Sequence, residues 1–311
     1  MTFVRFAGVA MMVAMATATL PRSAHAQRRR YSSGSSRVDT TLAIAKNGTV
    51  TIGARTGDVV VTGWSRDQVH VRGGSDEGDI RIQASGSQVD VNTSRSSDDT
   101  RIEVSVPYGV KVVASSLSGD VSVRGTRGAV EIHAQSGDVH IEDVATRLAV
   151  SSLSGDITAS SIAGDVAVET VSGDVNIDNL RGDVDIGTVS GEIALHGATS
   201  RTVRAKSTSG DITYDGVIDN AGRYELTSHS GDIRLKVQRD PSAQVAVSTW
   251  SGSVDSDFQM TLNPGQHGIG SSNAKGFTFS LGGGAARIIA DTFSGDIDIR
   301  SSGHGATVRR E

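Results

Sequence analysis

LSGDVSVRG, TRGAVEIHA, QSGDVHIED, VATRLAVSS, LSGDITASS, IAGDVAVET, VSGDVNIDN, LRGDVDIGT, VSGEIALHG: from Leu117 to Gly197 the chain is nine blocks of nine residues without an insertion. Positions one, five and seven of a block are mostly Val, Ile or Leu, and positions six, eight and nine are mostly polar or Gly. Apolar residues at five and seven flanked by polar ones have the period of two of a half-buried strand. Gly recurs at position three, where a chain entering or leaving a strand can use a positive φ. Each block is therefore a turn and a short strand. Ser-Gly-Asp or Ser-Gly-Glu opens every second block, at Ser118, Ser136, Ser154, Ser172 and Ser190, so the unit is an eighteen-residue coil of two strands. Stacked coils place equivalent residues about 4.8 Å apart in parallel register. Val121, Val139, Ile157, Val175 and Ile193 then form one interior column. Val123, Ile141, Ala159, Ile177 and Leu195 form a second, faced from the other sheet by Val130, Leu148, Val166 and Val184. A single coil cannot bury its inner face, so stability has to come from stacking. The fold class is all-β, a parallel β-solenoid (β-helix) of 18–21-residue coils, right-handed by the crossover rule.

Outward from this core the spacing loosens. Ser-Gly returns at Ser209, Ser230, Ser251 and Ser294, in steps of 19, 21, 21 and 43 residues, the last read as two successive coils. On the other side Gly57-Asp58 and Gly78-Asp79 are 21 apart, and Gly119 lies 41 further on. One solenoid domain is expected over residues 38–300, with a loop at Asn263–Gly276 and end caps at residues 38–60 and 297–311. Strands of five or six residues with a polar second face do not suit an outer-membrane barrel, whose spanning strands need about 9–11 residues.

The termini read as address and linker. Arg5, an apolar run from Ala7 to Leu20, and Ala24-His25-Ala26 make residues 1–26 a secretory signal peptide. Residues 27–37, QRRRYSSGSSR, form a basic, Ser-rich leader, and 301–311 a tail. Loss of Arg5 and Arg22 with the signal leaves 28 basic against 35 acidic residues, a net charge of −7. An acidic exported chain is a poor nucleic-acid binder, and the mature chain has no transmembrane segment. The absence of Cys excludes disulfides, thiolate metal sites and a lipid-modified N-terminal Cys. The expected address is periplasm or cell surface.

The recurring chemistry is acidic. Stacking aligns Asp120, Asp138, Asp156, Asp174 and Glu192 on one edge, continuing through Asp211, Asp232, Ser253 and Asp296. Two carboxylates 4.8 Å apart repel by roughly 1 kcal/mol in water, so something must offset the line. Either each Asp accepts N–H groups of its own turn, or a cation such as Ca²⁺ bridges coils. Calcium-binding β-rolls also use nine-residue units, but their G-G-x-G-x-D loop is missing here. Arg181-Gly182-Asp183 occupies an ordinary turn of the repeat. His133, His140 and His196 fall at outward positions of different columns. No nucleophile elbow, zinc-binding His pair or phosphate loop is present, so no catalytic residue and no cofactor is assigned.

LSGDV, QSGDV, LSGDI, VSGDV and VSGEI, the lead-in Val106-Pro107-Tyr108-Gly109-Val110-Lys111-Val112 and the late Thr249-Trp250-Ser251-Gly252-Ser253-Val254 resemble the bacterial "putative adhesin" β-strand-repeat family, domain of unknown function 4097, over Asn47 to Arg300. The resemblance implies an exported envelope β-solenoid and brings no catalytic residues with it. The expected function is a non-enzymatic envelope or surface scaffold binding an envelope polymer or protein. A Ca²⁺-responsive β-roll-like module and a carbohydrate-active enzyme on a β-helix are the competing readings.

Overall fold

The computed structural model describes residues 36–75, 80–93, 100–259, 261–262 and 275–302. The signal, residues 27–35 of the leader, the Gly78 turn, most of the Asn263–Gly276 insert and residues 303–311 of the tail lie outside the described residues, while Ser36 and Arg37 of the expected leader already belong to a strand. Every regular element among the described residues is a strand, and all 25 join through hydrogen-bonded pairing. The chain winds between two sheets. After each Ser-Gly-Asp turn a strand enters sheet one, as in Val121–Thr126, Val139–Val144, Ile157–Ile162 and Val175–Leu180. The intervening strands form sheet two, as in Val130–Ala134, Leu148–Ser154, Val166–Ser172 and Val184–Ser190.

Pairing is parallel with an eighteen-residue offset. Ile141 sits between Val123 and Ala159, and Val150 between Ile132 and Val168. The expected interior columns are buried along their length, Val121, Val139, Ile157, Val175 and Ile193 completely so. Small aliphatic side chains suit this interior because two sheets about 10 Å apart leave room for one interdigitated layer. Past Gly197 the chain rounds a corner without leaving the extended conformation, in the long strands Ile193–Ser209 and Ile212–Ser230. Tyr214 and Tyr224 pack edge to face inside this wider part. Their hydroxyls donate to the carbonyls of Val217 and Ser200, so neither polar tip is stranded in the core.

The two edges differ for a local reason. Where sheet-one strands end, the ninth block residue takes the left-handed conformation: Gly125 (φ 65°), Asp143 (55°), Ser161 (58°), Asn179 (56°) and Gly197 (65°). Gly, Asn and Asp tolerate that region best. The kink turns the next residue inward, so Val144, Ile162 and Leu180 are buried. Where sheet-two strands end, the ninth residue stays extended and is itself buried, as Ser152, Thr170 and Thr188 are. The next residue then points out, which exposes Leu153, Val171 and Val189.

The order of coils departs from the order of sequence at both ends. Strand Ala286–Ser294 lies between Ile212–Ser230 and Ala243–Ser251, and strand Ile297–Ser301 between Ile233–Val237 and Val254–Ser256. The last coil of the sequence is thus inserted before the one that precedes it, and the 43-residue step is not two successive coils. At the other end Thr49–Ala54 pairs with Lys111–Ser116 and with Gln88–Thr93, so coil 49–64 is internal and coil 88–107 lies outside it. Of the expected caps, residues 38–43 do lie at an end of the stack, whereas 49–60 and 297–301 are internal and 303–311 lie outside the described residues. Antiparallel strands close the stack: Ser36–Ala43, Gln68–Ser75 and Ile80–Ser85 at one end, Thr261–Leu262 and Lys275–Leu281 at the other.

Candidate functional site

The acidic edge is built on a column of glycines. In spatial order these are Gly57, Gly119, Gly137, Gly155, Gly173, Gly191, Gly210, Gly231, Gly295 and Gly252, and a Cβ on any but the first would press on the carbonyl of the glycine before it. Most of them also have positive φ, 110° at Gly155 and 124° at Gly173. Absence of a side chain lets successive turns stack backbone to backbone.

That close stack aligns the carboxylates and supplies what offsets them. The Asp138 N–H donates to Asp120 Oδ1 (2.9 Å), Asp156 to Asp138 (2.9 Å), Asp174 to Asp156 (2.9 Å) and Glu192 to Asp174 (2.8 Å). The series starts at Asp58, which accepts from Asp120 N–H, and resumes beyond Glu192, where Asp232 N–H donates to Asp211 and Asp296 N–H to Asp232. Each bond therefore runs between neighbouring coils, a correction to the expectation that each Asp accepts within its own turn. At the spatial end of the column Ser253 donates both N–H (2.7 Å) and Oγ–H (3.0 Å) to Asp296 Oδ1, which holds that carboxyl below the usual range. Among the described residues no further coil stacks on this turn, and Ser253 carries no carboxylate. Arg234 spans two members of the column, reaching Asp211 Oδ2 at 2.9 Å and Asp232 Oδ2 at 3.0 Å.

All five acidic candidates, Asp120, Asp138, Asp156, Asp174 and Glu192, thus share one column, the four aspartates each with one oxygen occupied by a backbone donor. The described residues contain no cluster of three or more His, Asp or Glu arranged to hold a metal ion. The opposite edge has a shorter copy of the device: Asp165 accepts from Asp183 N–H, and Asp183 from Thr202 N–H. This places Asp183 of the Arg181-Gly182-Asp183 tripeptide inside the stack's own bonding. His133 and Glu131 are 3.1 Å apart on sheet two, and His140 and His196 stand on sheet one, in separate columns.

Beside the acids runs a feature the sequence reading did not isolate. The residues before Ser-Gly form an exposed rail: Leu117, Gln135, Leu153, Val171, Val189, Thr208, His229, Phe293 and Trp250 in spatial order. Leu117, Leu153, Val171, Val189 and Phe293 are each close to half exposed. His229, Phe293 and Trp250 stack as nearly parallel rings, with centroids 4.9 and 5.9 Å apart. The signal lies in position one of the blocks: the same apolar residue type is exposed before Ser-Gly and buried at the other edge.

Between the rail and the outward side chains of sheet two lies an open groove. One part, of about 600 Å³, is lined by Ser151, Glu169, Val171, Gly187, Val189 and Lys206 among others. A second, of about 440 Å³, follows in the same columns past Leu117, Ser115 and His133.

The fold and edge define a class: parallel two-sheet solenoids whose Ser-Gly-Asp turns stack in register. Within that class the chain belongs to the Toastrack family, a domain of unknown function (DUF4097), whose model matches residues 40–300. The chain is similar in structure to three solved proteins at low identity. A "putative adhesin" from Bacteroides fragilis has 12% identity and TM-score 0.35, with 85% of this chain and 97% of that one covered. A "putative adhesin" from Parabacteroides merdae has 11% identity and TM-score 0.33, with 85% and 95% covered. A "putative cell adhesion protein" from Clostridium sporogenes has 9% identity and TM-score 0.23, with 86% and 100% covered. No curated protein matches the chain.

Proposed function

We propose that this is an exported, non-enzymatic interaction scaffold of the bacterial envelope or surface, with residues 1–26 acting as signal, 27–37 as leader, 38–300 as one right-handed solenoid domain and 301–311 as tail. The observation that carries this reading is the registered repetition of surface groups. The carboxylate column repeats from coil to coil, about 4.8 Å apart, as far as Ser253, and the rail beside it is mostly aliphatic from Leu117 to Val189 and aromatic at His229, Phe293 and Trp250. Such a surface matches a partner that is itself extended and repetitive, and many weak equal contacts in line gain avidity without a deep pocket. Export is supported by the charged, apolar and small-residue regions of the first 26 residues.

The test is fractionation and protease shaving of intact cells, followed by co-sedimentation of the purified chain with isolated envelopes. Loss of the protein from intact cells places it on the surface; protection until the outer envelope is opened places it in the periplasm. A chain that stays in the cytoplasm, or that fails to sediment with any envelope fraction, overturns the proposal.

A further inference from the structure

We infer that the aliphatic stretch of the rail, Leu117 to Val189, together with the carboxylates beside it, is a docking surface for a basic amphipathic helix of a partner protein, lying along the stack and across the strands. This rests on the interaction reading above and names the chemistry of its partner. The apolar half of the surface is exposed by construction. Leu117, Leu153, Val171 and Val189 stand 45–50% exposed on the stack, with Gln135 as the polar interruption. The extended exit from each sheet-two strand aims them outward, so their exposure is part of the repeat. Four spacings of about 4.8 Å make the stretch roughly 19 Å long.

The acidic half runs parallel to it. Three residues further along the turns stand Asp120, Asp156, Asp174 and Glu192, with Asp138 following Gln135, within about 11 Å of the rail even for a fully extended chain. Each aspartate spends Oδ1 on the next coil's N–H and leaves Oδ2 with no partner among the described residues. The adjoining outward column of sheet one, Ser122, His140, Thr158, Asn176 and Ala194, brings no Lys or Arg to them. On the other flank the groove adds Glu169 and His133. The nearest Lys and Arg of these two flanks stand one coil beyond the stretch: Arg55 before Leu117, and Lys206, which is paired with Glu225, after Val189. Further along, where the rail turns aromatic, the chain supplies the cation itself. Arg234 bridges Asp211 Oδ2 and Asp232 Oδ2 at 2.9 and 3.0 Å. A guanidinium across two consecutive carboxylates is thus a geometry this column already uses, and the carboxylates without such a cation are the ones beside the aliphatic rail.

The occupant has to bring an apolar row and, parallel to it, a basic row. A helix with an apolar stripe flanked by Lys or Arg does so. Its turns rise 5.4 Å against about 4.8 Å per coil, so over 19 Å the rows drift by only about 2 Å, within the reach of a long basic side chain. The strands below have spent their N–H and C=O groups in the parallel ladder and offer no edge to extend, whereas a helix satisfies its own backbone. A second copy of the chain fits less well. A two-fold axis normal to the sheets sets its acids against these acids. An axis along the stack sets them against the groove flank, where Glu169 repels them. An anionic lipid surface is repelled by the column outright.

The experiment is fluorescence anisotropy of the full chain with a labelled Leu/Lys peptide of about fourteen residues, its leucines at helical spacing. A Gln/Lys peptide carries the charge alone, and a Leu/Glu peptide carries the stripe with the charge reversed. The wild type is expected to bind the Leu/Lys peptide, less tightly as salt rises, and the other two at least tenfold more weakly. Leu153→Ser with Val171→Ser changes exposed side chains only and should lose at least tenfold. Asp138→Asn with Asp156→Asn keeps the acceptors that hold the stack and should lose several-fold and flatten the salt dependence. Glu142→Gln with Asp143→Asn removes the same charge from the far end of a sheet-one strand, at exposed positions, and should bind like the wild type. The inference is overturned if the wild type binds no peptide, if the Gln/Lys peptide binds as tightly as Leu/Lys, if either test pair keeps wild-type affinity, or if the control pair loses as much. A wild type that binds no peptide but still sediments with envelopes refutes the helix and leaves the scaffold reading standing.

Discussion

Two Gly→Ala substitutions in adjacent coils should differ by several kcal/mol, and the difference tests the stacking geometry directly. Gly155 has φ 110° and stacks on Gly137; a Cβ there would lie 2.7 Å from the Gly137 carbonyl carbon. An L-residue in that backbone region costs about 1–3 kcal/mol. The contact cannot be relieved by a rotamer change, because both partners are backbone. Relief needs the coils to part by more than about 0.7 Å, because the Gly137 carbonyl oxygen lies closer still to the added Cβ than the carbon does. Two bonds cross that junction, Asp156 N–H to Asp138 Oδ1 and Val139 N–H to the Asp156 carbonyl, both 2.9 Å. Each is worth about 1 kcal/mol, more with a charged acceptor. The expected cost of Gly155→Ala is about 3–5 kcal/mol, a large part of the ~5–15 kcal/mol that holds a domain together. Gly187 is the control, in strand Val184–Ser190 with no atom within 4 Å of a Cβ. Gly187→Ala should be neutral or stabilise by about 0.4–1 kcal/mol through the unfolded chain. Urea unfolding followed by far-UV dichroism gives both numbers. A Gly155→Ala cost below about 1 kcal/mol, or equal costs for the two, would refute the backbone-to-backbone stack.

Other perturbations separate the remaining parts of the argument. Asp156→Asn keeps an acceptor for the Asp174 N–H and removes one charge from the column, so it should be neutral or slightly stabilising, while Asp156→Ala should cost about 1–3 kcal/mol. Excess chelator should leave the melting temperature of wild type and both variants unchanged; a chelator-sensitive wild type beside an insensitive Asp156→Asn would install a cation in the column instead. Val175→Asp puts an unpaired charge at a fully buried position and should cost several kcal/mol, against under about 1 kcal/mol for the outward Asn176→Asp, both read from urea midpoints. On acidification the carboxyls of Asp39 (bonded to His70), Glu131 (Lys111), Asp257 (Arg300) and Asp296 (Ser253) titrate below their ordinary values. Groups depressed in the folded state contribute stability that is present above their unfolded pKa near 4 and is lost as pH falls through the folded values. The urea midpoint should therefore hold between pH 7 and about 5 and decline below 4; a midpoint that rises below pH 4 would contradict those pairings.

What the sequence made legible follows from how each feature is encoded. The strand facing of Val121–Leu195 was readable because period two and period eighteen coincide over 81 residues without an insertion. Both the fold class and the column of acids follow from that coincidence. The coil order at the ends was not readable from period alone. Coils of one shape can dock on any exposed coil of the same shape, and sequence neighbours are merely the default. Gly119 stacks on Gly57, 62 positions away, and Gly295 on Gly231, 64 positions away.

The clue to that order was a residue type. A carboxylate in the turn is useful where another coil's N–H lies against it, so the coil at the end of the stack can dispense with one. The single Ser-Gly-Ser of the late series, at Ser251–Ser253, stands before Ser294-Gly295-Asp296 in the sequence but after it in space. Reversing the two residues tests this placement. Ser253→Asp alone should change stability by less than about 0.5 kcal/mol, since among the described residues no turn N–H stacks beyond it. Asp296→Ser should cost about 1–3 kcal/mol, because it strips the Ser253 N–H and Oγ–H of their shared acceptor. If coil 286–301 were instead the end of the stack, the ranking would invert: Asp296→Ser would be silent and Ser253→Asp would add a bond.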